Sequence, residues 1–267
     1  MNKTIKSQLI KLDKKEFKFL NRQPGILKQK TEPLIEELEN KIPKGLRENL
    51  EKAFEKAFKV VFEKGTDVIE RITPKDNISF EHTVNDFAFK NDNGYFSKTK
   101  HLKRIDQSAT KRSLIGKSTA FVEGAGLGLL GVGIPDIPIF IGVLLKGIYE
   151  TALSYGFNYN LPSERIFILK LIQVATTENF EKHGKNLELN NWEDYVRDCK
   201  DVDSILEKEI QNTAQSLAEY MLVAKFIQGI PIIGISGSIF NLQIYSKVSD
   251  YATLKYKRRY LQKQNKP

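Results

Sequence analysis

Cysteine is almost missing from this chain: Cys199 stands alone among 267 residues. That excludes an internal disulfide and suits a reducing compartment. Its surroundings, YVRDCKDVD, bring charge but no paired histidine, so nothing there marks a nucleophile. Histidine is as sparse. His82, His101 and His183 lie far apart, without the H-E-x-x-H or Cys/His spacing of a metal site. No catalytic constellation, metal or cofactor is expected. Runs that alternate apolar and polar residues, which a half-buried strand needs, are also lacking, and this points to an all-α fold. The opening MNKTIKSQLIKLDKKEFKFL is basic but has neither an apolar stretch of signal-peptide length nor a small-residue cleavage site. A cytoplasmic location is expected.

What the chain has in plenty is positive charge, and it is unevenly placed. The net charge is +9, and residues 1–30 carry nine Lys/Arg against two acids. Segments 98–117 and 247–267 each carry seven against one, whereas 31–70 and 178–209 are net acidic. Segregation of this kind suits an anionic partner; the alternative is three solvated helix faces.

Helical periodicity dominates the rest. After Pro43, apolar positions recur at Leu46, Leu50, Phe54, Phe58, Val61 and Phe62, predicting an amphipathic helix of about seven turns that ends near Thr73-Pro74. Residues 75–100 are turn-rich, with Asn93-Gly94 marking a loop, and a helix is expected to resume around Asp106. IFILKLIQVA, after Leu161-Pro162-Ser163, is apolar nearly all round and predicts a buried helix. Residues 183–191 form a break, followed by a helix from Trp192 to Gln228.

Two stretches are greasier than the rest. GLGLLGVGIPDIPIFIGVLLKG (126–147) and FIQGIPIIGISGSIFNLQIYS (226–246) each join two apolar arms through a Gly-Ile-Pro turn, and each reads as a helical hairpin with an apolar tip. The windows are long enough to span a bilayer, but the prolines divide them into arms of only about 9–13 residues. Such arms suit a buried core hairpin or an interfacial element better than a full span. Asp136 sits at the first tip, where its carboxylate can cap the second arm or meet an ion or lipid headgroup. Glu123, within the run of small residues, needs a partner such as Lys117 or Lys146. Gly126-Leu127-Gly128-Leu129-Leu130-Gly131 spells a dinucleotide fingerprint, but no strand precedes it and Pro135 interrupts the helix that should come after it.

Basic residues flank both hairpins. Lys103, Arg104, Lys111, Arg112 and Lys117 lead into the first, and Lys255, Lys257, Arg258 and Arg259, interleaved with Tyr256 and Tyr260, leave the second. A positive collar around a greasy element is what an anionic leaflet attracts, at about 1 kcal/mol per well-placed cation. No nucleic-acid signature accompanies it.

GAGLGLLGVGIPDIPIFIGVLLKGIYETALSYGFN resembles the signature of the bacterial EcsC family, with its glycine-rich run, Pro-x-Asp-x-Pro-like turn and Tyr-Gly-aromatic sequence. NKIPKGLRENLEKAFEKAFKVVF resembles an earlier helix of that family, and KFIQGIPIIGISGSIFNLQIYSKVSDYATLKYKRRYL its C-terminal hairpin and basic tail. The likeness spans residues 34–262. It places Gly133, Pro135, Pro138, Tyr155, Gly156, Pro231 and Gly234 as turn and packing residues, and leaves Asp136, Arg165 and Asn241 as groups able to bind something. The family's namesake is encoded beside the subunits of an ABC transporter, which implies a transport- or membrane-associated role.

The expectation is therefore a single-domain bundle of long antiparallel helices, residues 31–267, with two apolar hairpins and a flexible basic extension over 1–30. The function expected is that of a non-enzymatic, membrane-peripheral accessory protein that engages anionic lipid or a membrane protein complex. Two other readings stand beside it: a soluble helical scaffold with both hairpins in its core, and a metal-dependent hydrolase using Asp136 or Glu123.

Overall fold

The computed structural model describes residues 3–22, 44–115, 136–178, 181–197, 201–227 and 238–265, and every element among them is helical. The amphipathic stretch after Pro43 forms α2 (Lys44–Val60), passes through a π-helical turn at Val61–Gly65 and continues as α3 (Thr66–Ile72). The Thr66 hydroxyl donates to the Val61 carbonyl at 3.0 Å across that widened turn. The run stops at Thr73, where Pro74 forbids continuation.

Residues 75–100 depart from expectation. Lys75–Asn91 form a helix, α4, and α5 begins at Tyr95 and runs to Ile115, a full three turns before Asp106. Only the link is a turn: the Asp92 carboxylate accepts from the Gly94 amide at 2.8 Å and from the Ser97 hydroxyl at 2.7 Å. The periodic signal was weak because Ile78 and Phe89 are the buried apolar residues of α4, while its other large apolar side chains face outward.

α6 (Asp136–Ser154) is the hub, packing against α2, α4, α5 and a long last helix, α11 (Ser238–Lys263). Among the described residues it alone is long and apolar enough to cross a membrane, over Ile137–Ser154, and 83% of that window is buried in the fold. Pro138 is buried near its start. α7 (Pro162–Thr176) is buried from Ile166 to its end, as its all-round apolar sequence requires. Within that buried stretch Lys170 pairs with Glu209 at 2.9 Å, and the Gln173 amide donates to the same carboxylate at 2.7 Å.

Glu181–Asn190 form α8 instead of a break. The expected helix from Trp192 onward is divided into α9 (Trp192–Arg197) and α10 (Val202–Ile227), the latter laid along α2 and α7.

The N-terminal residues are not a free extension. Lys3–Leu20 form α1, which docks on α11 and buries Thr4, Ile5, Gln8, Leu12 and Glu16. Three of those five are polar, so the stripe carries little apolar signal; its buried face is held by hydrogen bonds and ion pairs as much as by hydrocarbon. The turns of the two apolar hairpins, with Gly133, Pro135, Pro231 and Gly234, lie outside the described residues, as do Lys117 and Glu123.

Candidate functional site

Lys255, Lys257, Arg258 and Arg259 were expected on an anionic surface, and the structure turns them inward. α11 presents each to a carboxylate of this chain. Arg259 makes a two-pronged pair with Glu164, Nη1 to Oε1 at 2.6 Å and Nη2 to Oε2 at 2.9 Å. Its guanidinium lies 4.2 Å from the ring centre of Phe157, 4.1 Å from that of Phe167 and 4.8 Å from that of Trp192. A planar fork between a carboxylate and aromatic faces is a place for arginine that lysine cannot fill. The Tyr256 hydroxyl donates to the same Glu164 carboxylate at 2.8 Å.

Lys255 is 3% exposed and pairs with Glu16 of α1 at 2.7 Å, also donating to Asn186 at 2.9 Å. Burial lowers its pKa, and Glu16 works in the opposite direction. Arg258 pairs with Asp13 at 2.8 Å and Glu16 at 2.7 Å, and Lys257 with Asp106 at 2.6 Å. The carboxylates come from residues 13, 16, 106 and 164, and even the Arg259–Glu164 pair joins residues 95 positions apart. A charge count by segment cannot see pairs made across such distances.

The Tyr155-Gly156-Phe157 motif serves the same clasp. Tyr155 donates to Asp106 at 2.8 Å, joining the Lys257 pair, while the Phe157 ring rests on Arg259 and lies 5.5 Å from Tyr256. Gly156 between them has φ 77°, and a Cβ there would stand 2.2 Å from His82 Nε2. The position therefore needs glycine twice over, for its conformation and for the close approach of an imidazole. His82 Nδ1 lies 2.9 Å from the Ser154 carbonyl, and burial holds the imidazole pKa below its usual value.

Arg165 sits beside the π turn, 5.2 Å over the Phe62 ring, with Nη1 donating to the Phe62 carbonyl at 3.5 Å. Its Nε is buried without a hydrogen-bond partner among the described residues. Close by, Glu70 accepts from Asn160 at 2.8 Å, Tyr159 at 2.9 Å and Lys75 at 3.1 Å. The Asn160 amide, then Lys75 and Tyr159, hold its carboxyl below the usual range against the effect of burial. Asp136 opens α6 and Asn241 lies in α11, but their side chains are outside the described residues, as are those of Lys111 and Arg112 near the end of α5. No group of three or more His, Cys, Asp and Glu able to hold a metal occurs among the described residues.

Other cations remain turned outward, Lys3, Lys6, Lys11, Lys14, Lys15 and Lys18 on α1 and a further set on α5. Lys100, Lys103 and Arg104 lie on the exposed face of α5. Among the described residues no carboxylate pairs with any of the three. Lys103 and Arg104 belong to the basic segment picked out in the sequence; Lys100 was not singled out, though it lies in the same run.

A helical body in which α1 and α11 pack together and the Tyr-Gly-Phe motif rests on α11 places the chain among all-α proteins. The chain belongs to the EcsC protein family, whose sequence pattern matches residues 6–261. That match takes in most of α1, in agreement with its packing. The chain is similar to Protein EcsC of Bacillus subtilis (strain 168), 25% identical over 155 residues, covering 57% of this chain and 61% of that protein. It is also similar to the uncharacterized protein YdbA of the same strain, 28% identical over 148 residues, 53% of each chain. The matched stretches thus span under two thirds of either relative's length. No solved structure matches.

Proposed function

We propose that this chain is a non-enzymatic accessory protein that works at a membrane surface, engaging anionic lipid or a membrane protein complex through the basic face of α5. The observation that carries this reading is the contrast between the basic stretches of α11 and α5, the two that flank the apolar hairpins. Along α11, Lys255, Lys257, Arg258 and Arg259 are each neutralised by a carboxylate of the fold. Along α5, Lys100, Lys103 and Arg104 are exposed and unmatched among the described residues. Cations left unpaired on one face are free to meet an outside anion, each contributing about 1 kcal/mol near an anionic leaflet. Lys111, Arg112 and Lys117 continue the same basic run.

A second reading, a soluble helical scaffold, draws on one observation: the apolar α6 is mostly buried by the rest of the fold. Buried and surface helices coexist in one protein, so that burial bears on α6 and not on α5.

Co-sedimentation of the full chain with phosphatidylcholine vesicles, with and without phosphatidylserine, separates the two. Binding restricted to anionic vesicles and lost at high salt is the expected outcome, since exposed charge attraction is screened. Absence of binding to either vesicle overturns the lipid reading and puts the scaffold in front.

A further inference from the structure

Several aromatic residues lie outside the core. Tyr149, Tyr155, Tyr159, Tyr251, Tyr256 and Tyr260 are fully buried, while Phe80, Phe87 and Phe96 are 70%, 68% and 86% exposed. Phenylalanine has no polar atom to justify a place in water, so an exposed cluster of it is informative where an exposed leucine here or there is not. Phe80, Val84 and Phe87 succeed one another at spacings of four and three, which puts them on a single face of α4. That face is opposite the buried Ile78 and Phe89. Phe96 stands at the start of α5, just beyond the turn, its ring edge-on to Tyr95 at 5.5 Å.

The two helices form an antiparallel hairpin, pinned by Ser108 donating to Glu81 at 2.8 Å. Counting about 100° per residue from that contact, Val84 and Phe80 are the α4 side chains next outward from the seam, and Arg104 and Lys100 the next outward on α5. The aromatic stripe and the unpaired cations are therefore neighbours on one outer surface. Among the described residues of α4 and the turn after it, Glu81 is engaged with Ser108, Asp76 lies at the far end of the helix, Asp86 is turned to Lys90 and Tyr260, and Asp92 to the turn it caps.

We infer that the outer face of the α4–α5 hairpin is the element that enters the membrane, with Phe80, Val84, Phe87 and Phe96 seated among acyl chains and Lys100, Lys103 and Arg104 against anionic headgroups. The inference rests on the proposed membrane role and names the surface that performs it. Apolar side chains beside a lysine- and arginine-rich face are the makings of an interfacial helix, which sinks about 5–10 Å into the headgroup boundary. The charge also chooses between occupants. A second copy of this chain docked symmetrically on the patch would bring its Lys100, Lys103 and Arg104 toward the same three cations, whereas an anionic leaflet complements them.

The test uses the full chain carrying Phe87→Trp, together with vesicles of phosphatidylcholine and phosphatidylserine, some with brominated acyl chains. The native Trp192 is buried and serves as the internal reference. We expect the new indole to shift to the blue and to be quenched by brominated chains. A Phe80→Ser/Phe87→Ser variant, with unchanged helicity and melting temperature, should lose at least about tenfold in vesicle partitioning. If the unmodified chain ignores anionic vesicles, the lipid reading falls and this inference with it. If it binds but the indole is not quenched and the double variant binds equally, the reading stands and the hairpin surface is overturned. Loss of self-association in the double variant, with no change on vesicles, would assign the face to a second copy instead and overturn the inference as well.

Discussion

Arg259 illustrates how much of this fold is decided by single side chains. Its partner Glu164 is nearly inaccessible to water, so removing the guanidinium leaves a buried carboxylate with the Tyr256 hydroxyl as its side-chain donor. Breaking a buried pair from one side costs about 3–5 kcal/mol. We expect Arg259→Ala to lower the denaturant midpoint by a corresponding amount in equilibrium unfolding. Arg259→Lys should fall between, keeping the charge but losing the fork and the stacking. His82 adds a pH dependence. Its folded pKa lies below the ordinary value of about 6.5, so as the medium is acidified the unfolded chain takes up a proton that the folded chain resists. This contribution leaves stability level above about pH 6.5 and lowers it as pH falls further toward the folded pKa. Melting curves of the natural chain and His82→Gln across that range should differ in slope, with the variant flatter.

At the scale of elements, α1 is the joint most exposed to test. Glu16 meets both Lys255 and Arg258, and Gln8 accepts from Lys257 at 3.2 Å. Glu16→Ala takes from the buried Lys255 the carboxylate it pairs with and leaves the ammonium beside Arg258, and a loss of about 3–5 kcal/mol in chemical unfolding is expected. The sequence showed the helices whose buried faces are hydrocarbon: α2 through Leu50, Phe54 and Phe58, and α7 through IFILKLIQVA. It hid those whose faces are not. In α1 the inward stripe alternates Ile5 and Leu12 with Gln8 and Glu16, and in α4 Phe80 and Phe87 point to solvent and cancel the periodicity that Ile78 and Phe89 would have set. The candidate site was legible in the same uneven way. The Tyr155-Gly156-Phe157 motif could be picked out by its letters, but its work as a clasp on α11 depends on Asp106, His82 and Glu164, which are distant in sequence. Lys103 and Arg104 could be read as free cations and are exposed; Lys257 and Arg258 could be read the same way and are not. Local sequence does not distinguish a paired charge from an unpaired one.

The molecule as a whole carries a net charge of +9, and internal pairing withdraws Lys255, Lys257, Arg258 and Arg259 from what is available to partners. With those four neutralised, attraction to an anionic surface should depend on the α5 face far more than on them. Replacing Lys100, Lys103 and Arg104 together by Gln should abolish most low-salt binding to anionic vesicles. Charge removal at the tail should instead register as lost stability. Because the screening length shrinks from about 10 Å at 0.1 M salt to about 3 Å at 1 M, a titration of salt against bound fraction measures the electrostatic share directly.

The order in which the chain is made gives α11 a further importance. α6, the helix apolar enough to pass for a membrane span, is complete by residue 154, whereas α11, which covers one of its sides, begins at residue 238. At about 5–20 residues per second, a growing chain would hold that greasy side uncovered for several seconds or longer before its cover is synthesised. A ribosome stalled within that interval, or a chain cut short before α11, would present the cell with an apolar helix indistinguishable by length and composition from one meant for the bilayer. Such fragments should be drawn to insertion machinery or chaperones, and the packing of α11 is what closes that side of α6 to both.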